Sequence, residues 1–131
     1  MMLRSSLYAE RIMRGCATVL LRATGEEAQS LRAKVRKGVP VEKFTMGELI
    51  RLLKRLVPAL KGKGLSEDVA DEETWSILDL VLEMRNAFMH PTEVRQDPSL
   101  WIAYLEAVKR LCRTRLVQAA IKINNVRELN E

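Results

Sequence analysis

Apolar residues in this chain recur at three- and four-residue spacings rather than in alternation, a period that predicts helices and no strands. Between residues 2 and 22, Leu3, Leu7, Ile12, Val19 and Leu20 supply one face, and Arg4, Arg11, Arg14 and Arg22 mark the wet one. Thr24-Gly25-Glu26-Glu27 has the form of a capping box, so a second helix can run from there to about Lys37, stopped by Gly38 and Pro40. One helix kinked at Gly25 fits the same pattern, and both readings stay open. Thr45-Met46-Gly47-Glu48 is another capping box and opens a run of Leu49, Ile50, Leu52, Leu53, Leu56 and Val57. Pro58 lacks a donor and clashes with the preceding turn, so this helix is predicted to end or bend there.

Lys61-Gly62-Lys63-Gly64 is a loop by composition. The next helix starts near Asp71-Glu72-Glu73, whose carboxylates suit the positive end of a helix dipole. Its stripe is Trp75, Leu78, Val81, Leu82, Arg85 and Met89, widened by Ile77, Met84 and Phe88. Pro91 disfavours the α conformation at His90, so the helix is expected to end at or just before the histidine. Asp97-Pro98 is a start signal for a last long helix carrying Trp101, Tyr104, Leu105, Val108, Leu111, Cys112 and Leu116 to about Ile123. The expectation is an all-α, antiparallel helical bundle of four to five helices, with residues 1–131 as a single domain.

Composition agrees with that class. The chain is 47% hydrophobic and 30% charged with 5% aromatic residues, which favours helices over a β-sandwich. Cys16 and Cys112 each fall inside an apolar helical pattern, and no paired-cysteine or Cys/His spacing suggests zinc. They read as small buried hydrophobes in a reducing compartment. No signal sequence and no apolar run long enough to span a bilayer are legible, so the expected location is cytoplasmic, without a membrane partner.

Charge is distributed unevenly. Residues 1–63 carry 14 basic and 5 acidic side chains, residues 64–97 carry 2 and 9, and residues 98–131 carry 6 and 3. The basic excess on the flanking helices favours an anionic polymer as partner. Arg11, Arg14, Lys34, Arg36, Lys37, Lys54, Arg55, Lys61 and Lys63 are the candidates for an RNA phosphate track, and for each one alone a solvated helix face is an equal explanation.

The only histidine of the chain closes the run Arg85-Asn86-Ala87-Phe88-Met89-His90. Arginine neutralises phosphate, and histidine moves a proton near neutral pH. On an ideal helix Asn86 and His90 share a face, and the long Arg85 stem reaches the same edge. Plainer roles exist for each. His90 suits the negative end of a helix dipole, and Asn86 can bond frayed backbone. Arg85, lying in an apolar stripe, needs a carboxylate partner such as Glu83, Glu106 or another.

This run, ending the penultimate core helix of a small all-α domain, resembles the R-x4-6-H motif of the HEPN superfamily. The stretch from Phe44 to Leu53 is similar to the helix opening of members whose motif reads RN-x-x-A-H. Met89 stands where an alanine is often found, and Thr92 where the toxin branch ending H-x-Y has tyrosine. The resemblance implies a metal-independent endoribonuclease, without cofactor, acting as a homodimer whose facing motif helices form one composite cleft. It assigns Arg85, Asn86 and His90 as catalytic, with a 2′,3′-cyclic phosphate and a 5′-hydroxyl as products. A toxin or defence setting follows, with a cognate antitoxin protein as a further partner.

The mechanism also makes sense from the residues. Histidine can accept the 2′-hydroxyl proton or protonate the 5′-oxygen, and arginine can stabilise the pentacoordinate phosphate. With one histidine per chain, separate acid and base roles need a second chain or an unlike group. The alternative is a non-catalytic HEPN-like module that binds nucleic acid or protein. A helix-turn-helix regulator lacks its tight turn here, and a kinase or ATPase lacks its phosphate loop.

Overall fold

The structure is a computed structural model that describes residues 2–61, 69, 71–89 and 98–129, with side chains at 8–61, 69, 71–87 and 98–125. Among these residues the chain is all helical: α1 (Met2–Thr24), α2 (Ala28–Val35), α3 (Met46–Lys61), α4 (Glu72–Met89), α5 (Pro98–Cys112) and α6 (Arg115–Leu129). The class is the all-α bundle expected, and the described residues hold five helices of fifteen residues or more and the short α2.

The turn at Gly25 decides how residues 2–37 are arranged. Gly25 has φ +74°, a left-handed conformation that ends α1 and redirects the chain through a 3-10 turn at Gly25–Glu27. The expected capping box at Thr24 does not form. Thr24 is fully buried inside the end of α1, and its hydroxyl donates back to the Leu20 carbonyl at 2.7 Å. Thr24 keeps helical dihedrals (φ −71°, ψ −30°) as the end of α1 and commits its hydroxyl to Leu20, so it does not take the extended conformation from which a threonine caps the helix that follows.

The second capping box forms as read. Glu48 N–H donates to Thr45 Oγ1 at 3.2 Å, and Thr45 N–H donates to Glu48 Oε1 at 2.9 Å. The helix it opens does not end at Pro58 but runs on to Lys61. Pro58 removes only the hydrogen bond to the Lys54 carbonyl, and Leu60 beyond it is buried in the core. At the other end of the chain, the expected single long helix is two. α5 stops at Cys112, and Thr114 opens α6, with its Oγ1 accepting the Val117 N–H at 3.4 Å. α6 then extends past Ile123 to Leu129.

Helices α1 and α3 form the centre, with Met13, Leu20, Leu49, Leu52, Leu53 and Leu56 fully buried. α6 packs on α1, α2 packs on α3, and α5 packs on α4. Lys54 meets Asp79, and a Cβ on Gly47 would lie 3.9 Å from Leu82 Cδ2, so α3 and α4 run in opposite directions. Glu73, in the first turn of α4, meets Arg110, in the last turn of α5, so this pair is antiparallel too. No described helix is long and apolar enough to cross a membrane.

Candidate functional site

α4 carries the motif. Asp71 starts it by accepting the Thr74 N–H at 2.9 Å and the Thr74 hydroxyl. Those two bonds, with Arg115 nearby, hold the Asp71 carboxyl below its usual range. Ile77, Leu78 and Val81 then bury the helix in the core, with Trp75, Leu80, Leu82 and Met84 half-covered against it. Near the far end stand Arg85 and Asn86. His90 lies outside the described residues.

Arg85 is held inside its own chain. Its Nη2 donates to Glu10 Oε1 on α1 at 2.6 Å, and its Nη1 donates to Asn86 Oδ1 at 3.2 Å. The Arg85 and Glu10 side chains are 24% and 15% exposed, so the pair sits at the rim of the core rather than in open water. Arg85 Nε is buried and has no hydrogen-bond partner. The carboxylate that an arginine in an apolar stripe requires is therefore Glu10, and neither Glu83 nor Glu106. A signal for it exists in the sequence: Glu10 is the sole acidic residue of α1. The 75 positions that separate it from Arg85 hide the pairing from any local pattern.

The basic positions separate into classes. Arg14 is turned inward, donating to the Phe44 carbonyl at 2.8 Å and the Val41 carbonyl at 3.4 Å, where it pins the segment before α3. Arg36 pairs with Glu48 at 3.2 Å. The Thr45 N–H, then the Thr45 hydroxyl and Arg36, keep the Glu48 carboxyl below its ordinary value. Arg11, Lys37 and Lys61 are exposed and scattered over α1, the turn after α2 and the end of α3. Lys63 lies outside the described residues.

Lys34, Lys54 and Arg55 are brought together. With Val35 and Arg51 they line an open groove of about 400 Å³ between α2 and α3. Arg51 had no place among the expected contacts, yet it precedes Lys54 and Arg55 by one turn of α3 and shares their face. Lys54 forms the wall nearest α4, 3.7 Å from Asp79 and 5.9 Å from the centre of the Trp75 ring.

The groove contrasts with a cleft of about 270 Å³ where the N-terminus of α4 meets the α5–α6 turn. There Arg110, Arg113 and Arg115 face Asp71 and Glu73, so the charges largely cancel. The two cysteines are free, and burial pushes the Cys16 thiol up to about 12, which makes it a poor nucleophile. No protein-family model, curated protein or solved structure matches this chain.

Proposed function

We propose that this chain is a metal-independent endoribonuclease in which Arg85, Asn86 and His90 act on the RNA backbone, as the HEPN resemblance implies. The observation that carries the reading is the hydrogen bond joining Arg85 to Asn86 at the far end of α4, in the order the motif requires. His90 of one chain takes the 2′-hydroxyl proton, and the 2′-oxygen attacks the adjacent phosphorus. The P–O5′ bond breaks as a second histidine protonates the leaving oxygen, so proton and electron pair balance with no further reagent. Arg85 stabilises the charge that gathers on the non-bridging oxygens, and Asn86 orients the neighbouring groups. Two chains supply the two histidines, which makes a homodimer part of the proposal, as are a cytoplasmic toxin or defence role and an antitoxin partner.

Glu10 favours a second reading. A carboxylate 2.6 Å from Arg85 neutralises much of the charge a phosphate would meet. That suits an arginine kept to hold α4 on α1 in a non-catalytic module that binds nucleic acid or protein. Wild type and His90→Ala, incubated with total RNA in EDTA, separate the two readings. Cleavage by wild type alone, ending in 2′,3′-cyclic phosphates, supports the ribonuclease. Equal cleavage by both, none by a folded wild type, or cleavage only with added Mg²⁺ overturns it.

A further inference from the structure

We infer that the groove between α2 and α3 is a docking site for the phosphodiester backbone of a nucleic acid, held by Lys34, Arg51 and Arg55. The proposal does not rest on the ribonuclease reading. Its first support is charge without counter-charge. Four cationic side chains line the groove with Val35, and no carboxylate stands among the residues lining it. Lys54 is partly satisfied by Asp79, whereas Lys34, Arg51 and Arg55 make no ion pair among the described residues. Arg51 and Arg55 are four apart on one helix, a like-charge spacing that costs a bare helix a few tenths of a kcal/mol. Elsewhere the fold supplies acids to its bases: Glu48 to Arg36, Glu10 to Arg85, Glu73 to Arg110. In the groove, three cations unpaired among the described residues stand together on facing helices.

Shape and surroundings select the ligand class. A small-molecule pocket is lined mainly by apolar and aromatic side chains with a few polar groups, and here four of the five lining residues are cationic. A membrane-binding face would add large apolar side chains able to enter the acyl region. The large exposed apolar residues described are Tyr8, Ile102 and Ile121, on α1, α5 and α6, and none is on α2 or α3. A cationic groove between two helices suits a strand whose phosphates repeat along its length.

The groove also has a direction. Asp79, which meets Lys54 at its edge, and Asn86 are seven residues apart on α4. That places them about 20° apart around the helix and about 10 Å apart along it. Arg85 is turned about 120° from Asp79, toward α1. A strand leaving the groove along α4 would therefore reach the Asn86 face first.

The test is equilibrium binding, by fluorescence anisotropy in EDTA, of a labelled 2′-O-methyl oligoribonucleotide and a DNA strand of the same sequence. Three groove contacts predict a log–log salt slope of about −2 for the wild-type chain. Arg51→Ala/Arg55→Ala should weaken binding about tenfold or more at low salt and shallow the slope by about 1.4. Lys34→Gln, on the opposite wall, should reproduce roughly half of that loss of slope, or about 0.7. Arg113→Ala/Lys122→Ala removes the same net charge elsewhere and should stay within about twofold, since counterion release follows contacts made. Loss in both strands assigns the groove to phosphates, and a larger loss in one names the strand it takes. The proposal falls if the control pair loses as much as the groove pair, or if the wild type binds neither strand. It falls equally if anionic vesicles bind and the strands do not. Binding of these strands with no cleavage of total RNA by the wild type leaves the groove standing and removes the ribonuclease; cleavage of total RNA with unchanged strand binding in the groove variants does the reverse.

Discussion

At the scale of single residues, the Arg85–Glu10 pair is where stability and proposed chemistry meet. A guanidinium with one buried N–H unpaired is tolerable only because the rest of the fork is held by Glu10 and Asn86. Partial exposure of both partners keeps the value of the pair below that of a fully buried one. Glu10→Gln should lower unfolding stability by about 1–2 kcal/mol, because the cation stays at the rim of the core with a weaker partner. A double-mutant cycle of Glu10→Ala and Arg85→Ala, read by urea denaturation, should give a coupling of about 1 kcal/mol. A coupling indistinguishable from zero would show that the two side chains do not depend on each other.

Among the elements, helix starts carry the most legible information. Thr45–Glu48 and Asp71–Thr74 are both caps, and both hold a carboxyl below its usual pKa through hydrogen bonds to the ionised form. The sign follows from linkage. A depressed folded-state pKa contributes stability above the unfolded value, near 4, and that contribution disappears as pH falls through the lower folded value. The stability of the chain should therefore fall on the acid side of about pH 4, and Glu48→Gln should flatten part of that fall. Thr45→Ala should cost about 1 kcal/mol at neutral pH through the lost cap. Thermal melts across the acid range check both, and a parallel pH profile in Glu48→Gln would exclude Glu48 as a source.

Over the whole molecule, the question is what completes the motif end of α4. Part of the wide apolar stripe is consumed within the chain, where Ile77, Leu78 and Val81 are buried. Trp75, Leu80, Leu82 and Met84 are left half-covered. One histidine per chain also leaves the proposed acid and base pair incomplete. Light scattering at micromolar concentration, without RNA, should return twice the chain mass of 15.0 kDa. A single-chain mass under those conditions would remove the composite cleft, while the groove between α2 and α3 needs no second copy.

The all-helical class, the Thr45 box, the start near Asp71 and the stripe of α4 were legible in order along the chain. Each depends on residues within a turn or two of one another, where spacing and hydrogen-bonding capacity act directly. At Thr24 a local rule lost, and at Pro58 the helix end that the proline allowed does not occur. Burial of Leu60 carries α3 past the proline, and the left-handed Gly25 leaves Thr24 in the end of α1 instead of capping the helix that follows. Two features were decided only by the tertiary fold. Packing α1 beside α4 selects Glu10, and no nearer acid, as the partner of Arg85. Packing α2 on α3 joins Lys34 to Arg51, Lys54 and Arg55, while folding Arg14 and Arg36 into structural bonds. Sequence spacing sets which face of a helix a charge occupies. What that face meets depends on how the helices pack, and no local pattern encodes it.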